Sequence, residues 1–159
     1  MLSVKIITVG TLKEGYLRDA VAEYSKRLSA FCKLSVIQLK EAKLSDDPSE
    51  KEIASALDAE AKMILAETSP RSYKIAMCVE GKQMPSKKLA ERLERISSET
   101  SEVCFIVGSS FGLSDKVKSA ADLKLSMSEL TFPHQLLRVM LLESLYRAFT
   151  ITAGTKYHK

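Results

Sequence analysis

The sequence predicts an α/β fold: a single domain over residues 1–159, with one parallel sheet covered by helices on both faces. Three observations carry this. Short β-rich runs alternate along the whole chain with longer segments of helical periodicity, the pattern of repeated strand–helix–strand units. One run, VCFIV at 103–107, is apolar at every position, as a strand buried on both faces must be. At 159 residues, with 45% apolar and 28% charged residues, the chain is long enough to bury roughly 70% of its unfolded surface in one core. It contains nothing that reads as a linker, a repeat or a low-complexity tract.

Residues 2–9 alternate, are β-rich and end at Gly10, which makes a first strand. Thr11 is placed to cap the amphipathic helix that follows, to about residue 31. LSVIQL at 34–39 alternates again as a second strand. Asp46, Asp47, Pro48 and Ser49 then break the chain. Pro48 suits a first helical turn, and residues 50–67 form a charged helix with Ile53, Leu57, Ile64 and Leu65 on its apolar side. Residues 73–79 make a third strand, Ser86 caps a helix to about residue 96, and 103–107 is the fourth strand. Ser114 caps a short helix, residues 123–127 make a short strand, and residues 133–149 form the long last helix. Ligands of such sheets bind beyond the strand C-termini. Three polar loops fall there, at 80–85, 108–114 and 128–133.

The net charge is only +4, but it is unevenly spread. Residues 41–67 hold eight acids and three bases, residues 68–95 seven bases and three acids, and the stretch from Pro133 onward four bases and one acid. Such polarity favours an anionic partner at selected surfaces, against the plainer reading of solvated helix faces. No apolar run approaches the ~18 residues of a membrane span. The opening MLSVKIITVG reads as a strand rather than a signal peptide. Cys32, Cys78 and Cys104 are odd in number and widely spaced, which fits buried thiols in a reducing cytoplasm. With two histidines and three scattered cysteines, a metal site is not expected.

Gly108-Ser109-Ser110-Phe111-Gly112 matches GxSxG between a strand and a helix, the context of a nucleophile elbow. Ser110, His134 and either Asp115 or Asp122 would complete a hydrolytic triad. The chain is short for that fold, lacks an HGGG-type oxyanion segment, and its turn runs on past Ser110 to a second cap at Ser114. The alternatives are a turn in which glycine lets the backbone approach a ligand, and a plain strand-to-helix connection. The last helix is apolar nearly all round, so it packs on two sides, such as the sheet and a second subunit. His134 and Arg138 lie on one side of it, with Glu143 and Arg147 roughly opposite. The terminal Lys156-Tyr157-His158-Lys159 is basic and aromatic: a ring there can stack on a splayed base, although a frayed end is the usual fate of such a tail.

Taken together, these pieces resemble one family over essentially the whole chain. They are the opening strand ending in VG followed by LK, the AEYSKRL helix, EGK around Gly81, the glycine turn after Val107, LTFPHQLLRV, E-x-x-YRAF and the closing YHK. The sequence is similar to the ribosomal large subunit methyltransferase H group (RlmH, YbeA-like), of the SPOUT class. The TFPHQ segment with YRAF and YHK is the specific part of the match. Membership implies a homodimer that binds S-adenosylmethionine in a deep C-terminal trefoil knot, over approximately residues 103–150. It implies methylation of N3 of a pseudouridine, position 1915 by the family name, in helix 69 of 23S rRNA on the assembled ribosome. No metal is required, and the location is the cytoplasm.

Carried over by position, the resemblance places cofactor contacts at Met77, Gly108, Met127, Ser128, Glu129, Leu130, Thr131 and Phe132. It puts Arg147, Tyr157 and His158 at the catalytic centre, and His134, Arg138 and Lys159 against substrate RNA. Many members have a second glycine after the position of Gly108, where this chain has Ser109. The residues do not select which group takes the N3 proton.

Overall fold

The computed structural model describes residues 1–158, apart from the side chain of His158. Five strands form one sheet in the order β2-β1-β4-β3-β5, and every neighbouring pair is parallel. In chain order the elements are β1 (Ser3–Val9), α1 (Gly15–Leu28), β2 (Lys33–Leu39), α2 (Glu50–Ala66), β3 (Tyr73–Lys82), α3 (Ser86–Glu99), β4 (Glu102–Val107), α4 (Asp115–Ala120), β5 (Leu123–Leu125) and α5 (His134–Thr152). A short 3-10 turn, Lys156–His158, follows.

Strand alternation divides the core between two faces. On β1, Val4 and Ile6 join one apolar cluster, and Ile7 and Val9 join the other. On β4, Val103, Phe105 and Val107 face the first cluster, while Cys104 and Ile106 face the second. This is why VCFIV carries no polar residue: both of its faces are covered. Helices α1, α3 and α5 supply the larger cluster, with Leu28, Leu93, Ile96, Leu141, Leu142 and Leu145 essentially inaccessible. Full burial of one such side chain contributes about 1.5–3 kcal/mol. Ala61 and Ile64 of α2 and Val117 of α4 close the other face.

Several local expectations are corrected. Thr11 does not cap α1; Glu14 occupies the cap position and its side chain makes no cap hydrogen bond. The intervening loop is held instead by Arg18, whose Nη1 donates to the Leu12 and Lys13 carbonyls at 3.0 and 2.9 Å. Pro48 lies before the first turn of α2. Ser49 is the cap, in a reciprocal capping box with Glu52. Pro85, not Ser86, is the N-cap of α3. Strand β3 runs on to Lys82 rather than ending near residue 79, because a register irregularity lets Met77 and Lys82 both pair with Leu125. Ser114 caps α4 as expected, its Oγ accepting from Lys116 N–H.

The all-round apolarity of α5 has a partly internal explanation. One side packs on the sheet, and α1 and α3 flank it. Along its outer side Leu136 is exposed, and Val139, Met140 and Glu143 are half-buried.

Candidate active site

The C-terminal ends of β3, β4 and β5 open into a cavity of about 730 Å³. One wall is the glycine turn that leaves β4 at Val107. Another is the segment 125–133, and the first residues of α5 complete it with His134 and Leu137. Gly108 has no room for a side chain, because a Cβ there would collide with the Gly112 carbonyl and lie 3.0 Å from Leu113 Cδ2. The turn therefore folds tightly on itself and presents bare backbone to the cavity. Gly112 N–H donates to the Ser109 carbonyl at 2.9 Å, and Ser109 Oγ accepts from Phe111 N–H at 3.4 Å. Ser109, the residue after Gly108, is buried.

Segment 126–133 is ordered by its own side chains. Ser126 Oγ donates to the Ser128 carbonyl at 2.9 Å, and Ser128 Oγ accepts from Leu130 N–H at 3.0 Å. Met77, Leu125, Met127, Phe132 and Leu137 make the interior mostly apolar. At the rim Glu80 pairs with Lys118, and that ammonium holds the carboxyl below the usual range. Cys78 is also in the wall, its thiol pushed up chiefly by burial.

Of the expected cofactor residues, Met77, Gly108, Met127, Ser128, Leu130, Thr131 and Phe132 line this cavity. Glu129 is exposed and is not part of the wall. The donor set suits a nucleoside carrying a sulfonium side chain. It offers backbone amides and carbonyls for an adenine edge and apolar side chains for its faces.

A second cavity, of about 550 Å³, lies beyond the ends of β1 and β2. Its lining includes Lys13, Gln38, Lys40, Glu41 and Gln135. Ser110 and His134 belong to both cavities, so the two share a wall. Burial first, and the Arg138 guanidinium second, push the His134 imidazole below its ordinary value, which favours the neutral ring. The sequence reading missed this cavity. The rule that picked out the loops after β3, β4 and β5 applies equally to the ends of β1 and β2.

Arg138 is 2% exposed. Its Nη2 donates to the Val9 carbonyl at 2.8 Å and the Gly10 carbonyl at 2.9 Å, so α5 is pinned to the end of β1. Lys13 N–H donates to Gln135 Oε1 at 3.2 Å and reinforces the joint. The place of Arg138 is thus beneath the site rather than on a surface that meets RNA.

Arg147 and Tyr157 form a separate group. Both converge on Glu143: Arg147 Nη2 donates to Oε1 and the Tyr157 hydroxyl to Oε2, each at 2.9 Å. The guanidinium stands 5.1 Å from the Tyr157 ring, which meets the Tyr146 ring edge-on at 4.7 Å. Glu143 raises the Tyr157 phenol, and burial with the same carboxylate pushes Tyr24 up to about 12, so both stay protonated donors. Residue 147 lies thirteen residues along α5 from His134, roughly 20 Å at 1.5 Å per residue. Within one chain this group is not brought to the cavity. Lys159 and the side chain of His158 lie outside the described residues.

The triad geometry of a hydrolase is absent. Ser110 is exposed, α4 begins five residues later at Asp115, and no non-glycine residue among the described residues has positive φ, so there is no strained elbow. The Asp122 carboxylate accepts from Lys74 N–H at 2.7 Å, at the opposite end of β3. Among the described residues, no cluster of three or more metal-ligating side chains occurs, and no helix is long and apolar enough to cross a membrane.

Comparison with known proteins agrees with this picture. A family described as predicted SPOUT methyltransferase matches residues 2–158. A Streptococcus thermophilus protein named ribosomal RNA large subunit methyltransferase H is 49% identical over 159 residues, 99% of this chain and 100% of that protein. Proteins of the same name from Bacillus pumilus and Leuconostoc mesenteroides are 44% and 45% identical at the same coverage. A solved structure of a probable methylase family protein from Haemophilus influenzae shares the fold, with a TM-score of 0.55 at 14% identity over 98% of this chain and 70% of that one.

Proposed function

The chain belongs to the SPOUT methyltransferase family, and on that premise we propose that it is a ribosomal RNA large subunit methyltransferase that draws its methyl group from S-adenosylmethionine. Its target is N3 of a pseudouridine in helix 69 of 23S rRNA, on assembled ribosomes in the cytoplasm. The observation that carries the reading is a pair of adjoining cavities, a mostly apolar one and a polar one, that share the neutral His134 as a wall.

The larger cavity fits the cofactor. The backbone around Gly108 and residues 126–131 would hold the adenosine, with Met77, Met127 and Phe132 packed against it. S-adenosylmethionine, when bound, supplies an electrophilic sulfonium methyl. The target base enters from the polar cavity, where Gln38, Gln135 and Lys13 offer hydrogen-bonding groups. The imide N3–H must give up its proton, and the neutral His134 ring stands at the shared wall to take it. Positioning by two rigid strand-end walls supplies much of the rate.

Arg147, Tyr157 and the tail enter through a second subunit. Arg147 and the Glu143 it shares with Tyr157 sit too far along α5 to serve their own cavity, whereas the outer side with exposed Leu136 and half-buried Val139 and Met140 is available to a second copy. In this dimer Arg147 and Tyr157 of one chain close the cavity pair of the other. A deep trefoil knot over approximately residues 103–150 belongs to the same reading. It is supported by family membership and by the meeting of the glycine turn and segment 126–133 around one cavity.

The test is methyl transfer from labelled S-adenosylmethionine to ribosomes from a strain lacking this gene, with the product mapped by mass spectrometry. One methyl on one helix 69 pseudouridine is expected, at a much lower rate on protein-free rRNA. Calorimetry showing no cofactor binding, or a methyl elsewhere in the rRNA, refutes the assignment.

A further inference from the structure

A third concavity, of about 500 Å³, lies between the end of β3 and the outer side of α3. We propose that it is a track for the phosphate backbone of the substrate RNA, leading away from the reaction cavity. The proposal rests on the methyltransferase reading above and adds to it the surface that holds the RNA.

Four cations line this groove, Lys82, Lys88, Arg92 and Arg95, against one carboxylate, Glu91. That carboxylate is already paired with Lys88 at 2.8 Å. Lys82, Arg92 and Arg95 have no acidic partner among the described residues. Positions 88, 92 and 95 fall on one stripe of the helix, and Leu89, Leu93 and Ile96, on the neighbouring flank, are buried in the core. The stripe is thus fixed in orientation by packing. Helix α3 also begins at the groove. Pro85 is both its N-cap and part of the groove wall, and no side chain caps its first amides. Unpaired cations beside an uncapped helix start form an anion-binding arrangement.

The groove adjoins the reaction site through the backbone. Glu80 is in the wall of the larger cavity and Lys82 in the groove, two residues apart on β3, about 7 Å at strand spacing. Gly81 between them cannot carry a side chain, since a Cβ would lie 2.7 Å from the Leu125 backbone. The close approach draws β3 onto β5, where the Lys82 carbonyl accepts from Ser126 N–H at 3.0 Å. The irregular strand end therefore aims one residue at the cavity and the next-but-one at the groove. An ordinary solvated helix face has neither the concavity nor this link.

The test compares wild type with K82Q/R92Q/R95Q and the charge-keeping K82R/R92K/R95K, measuring binding to assembled ribosomes and to protein-free 23S rRNA across salt concentrations. Neutral replacement should make log K against log salt shallower by about 2 to 3 on both RNAs, from ~0.7–0.9 per lost phosphate contact. The charge-keeping variant should retain the wild-type slope, and cofactor affinity by calorimetry should match wild type in both variants. An unchanged slope in the neutral variant, with wild type still methylating, overturns the track alone. Loss on assembled ribosomes with no change on protein-free rRNA overturns it in favour of a ribosomal-protein contact. No salt-dependent binding by wild type to either RNA overturns both the track and the function it rests on.

Discussion

Gly108→Ala is the sharpest probe of the cofactor cavity. The added Cβ would lie 2.6 Å from the Gly112 carbonyl carbon, closer still to its oxygen, and 3.0 Å from Leu113 Cδ2. Ordinary contact begins near 3.4 Å, so the turn must open by about an ångström, and backbone rather than a flexible side chain has to move. Overpacking of this kind costs about 1–3 kcal/mol. If the turn keeps its path, the cost falls on folding, and a chain of this size loses about 2–4 °C in Tm per kcal/mol. If the turn opens, the cost falls on the cofactor. At about 1.4 kcal/mol per tenfold, affinity for S-adenosylmethionine then drops by roughly 5- to 150-fold. Calorimetric titration together with a thermal melt captures both routes. Ser109→Gly is the matched control: it leaves the close approach of Gly108 to Gly112 in place, removes the long 3.4 Å contact to Phe111 N–H and the hydroxyl that partly offsets the burial raising the Glu60 carboxyl, and should bind the cofactor as wild type does. Gly108→Ala with wild-type Kd and wild-type Tm would show that the tight turn does not shape the cavity.

Two further perturbations separate the other parts of the site. His134 has a folded-state value held below the ordinary 6.5 of its free imidazole, so below that pH the unfolded chain binds more protons than the native one. Stability present near neutral pH is lost as pH falls from above 6.5 through the lowered value. Melts of His134→Gln against wild type should therefore converge near pH 8 and favour the variant increasingly toward pH 5; parallel curves would contradict the half-buried neutral ring. Glu143→Ala removes the acceptor shared by Arg147 and Tyr157. These groups are partly exposed, so the folding cost should be about 1 kcal/mol or less. Cofactor affinity should hold while methyl transfer falls at least tenfold, and transfer at the wild-type rate would remove the tail from the mechanism.

How far the sequence could be read depended on whether a feature was local or a matter of meeting. The fold class was legible in VCFIV and the alternation around it, because a strand covered on both faces has nowhere to put a polar side chain. Ser114 was legible as a cap because its hydroxyl needs only the amide two residues on. Thr11 misled, because the helix start was set instead by the loop that Arg18 holds. The end of β3 misled because Gly81 let the strand continue over β5, a contact with a segment more than forty residues away. Resemblance to a family named most of the cofactor wall, including Met77 and Phe132, which have no local signature. The second cavity had no motif at all: its residues come from the loop after β1, the end of β2, the glycine turn and the start of α5, and meet only in the folded chain. The groove beside α3 comes from one stretch, 82–95, inside the basic segment already counted, but a charge count does not show a concavity.

Arg138 shows why residue type alone could not settle the site. A basic residue one turn after TFPHQ, in a chain expected to meet RNA, reads as a phosphate contact. Burial changes its chemistry. Two of its nitrogens, Nε and Nη1, have no hydrogen-bond partner among the described residues, and no carboxylate lies within ion-pair distance. Removing an ion from water costs several kcal/mol when it is poorly compensated, so this arginine is a poor choice for stability alone. Its position accounts for it. One end of the guanidinium grips the two carbonyls at the end of β1, where the strand has run out of ladder partners. The stem belongs to the first turns of α5, whose His134 divides the two cavities. The same positive charge disfavours a proton on that histidine. A point-charge lysine lacks the planar, multi-donor head that makes such a grip directional. The buried arginine thus fixes where the dividing wall stands and which protonation state it presents, and the net +4 of the chain overstates the charge left at the surface to meet RNA.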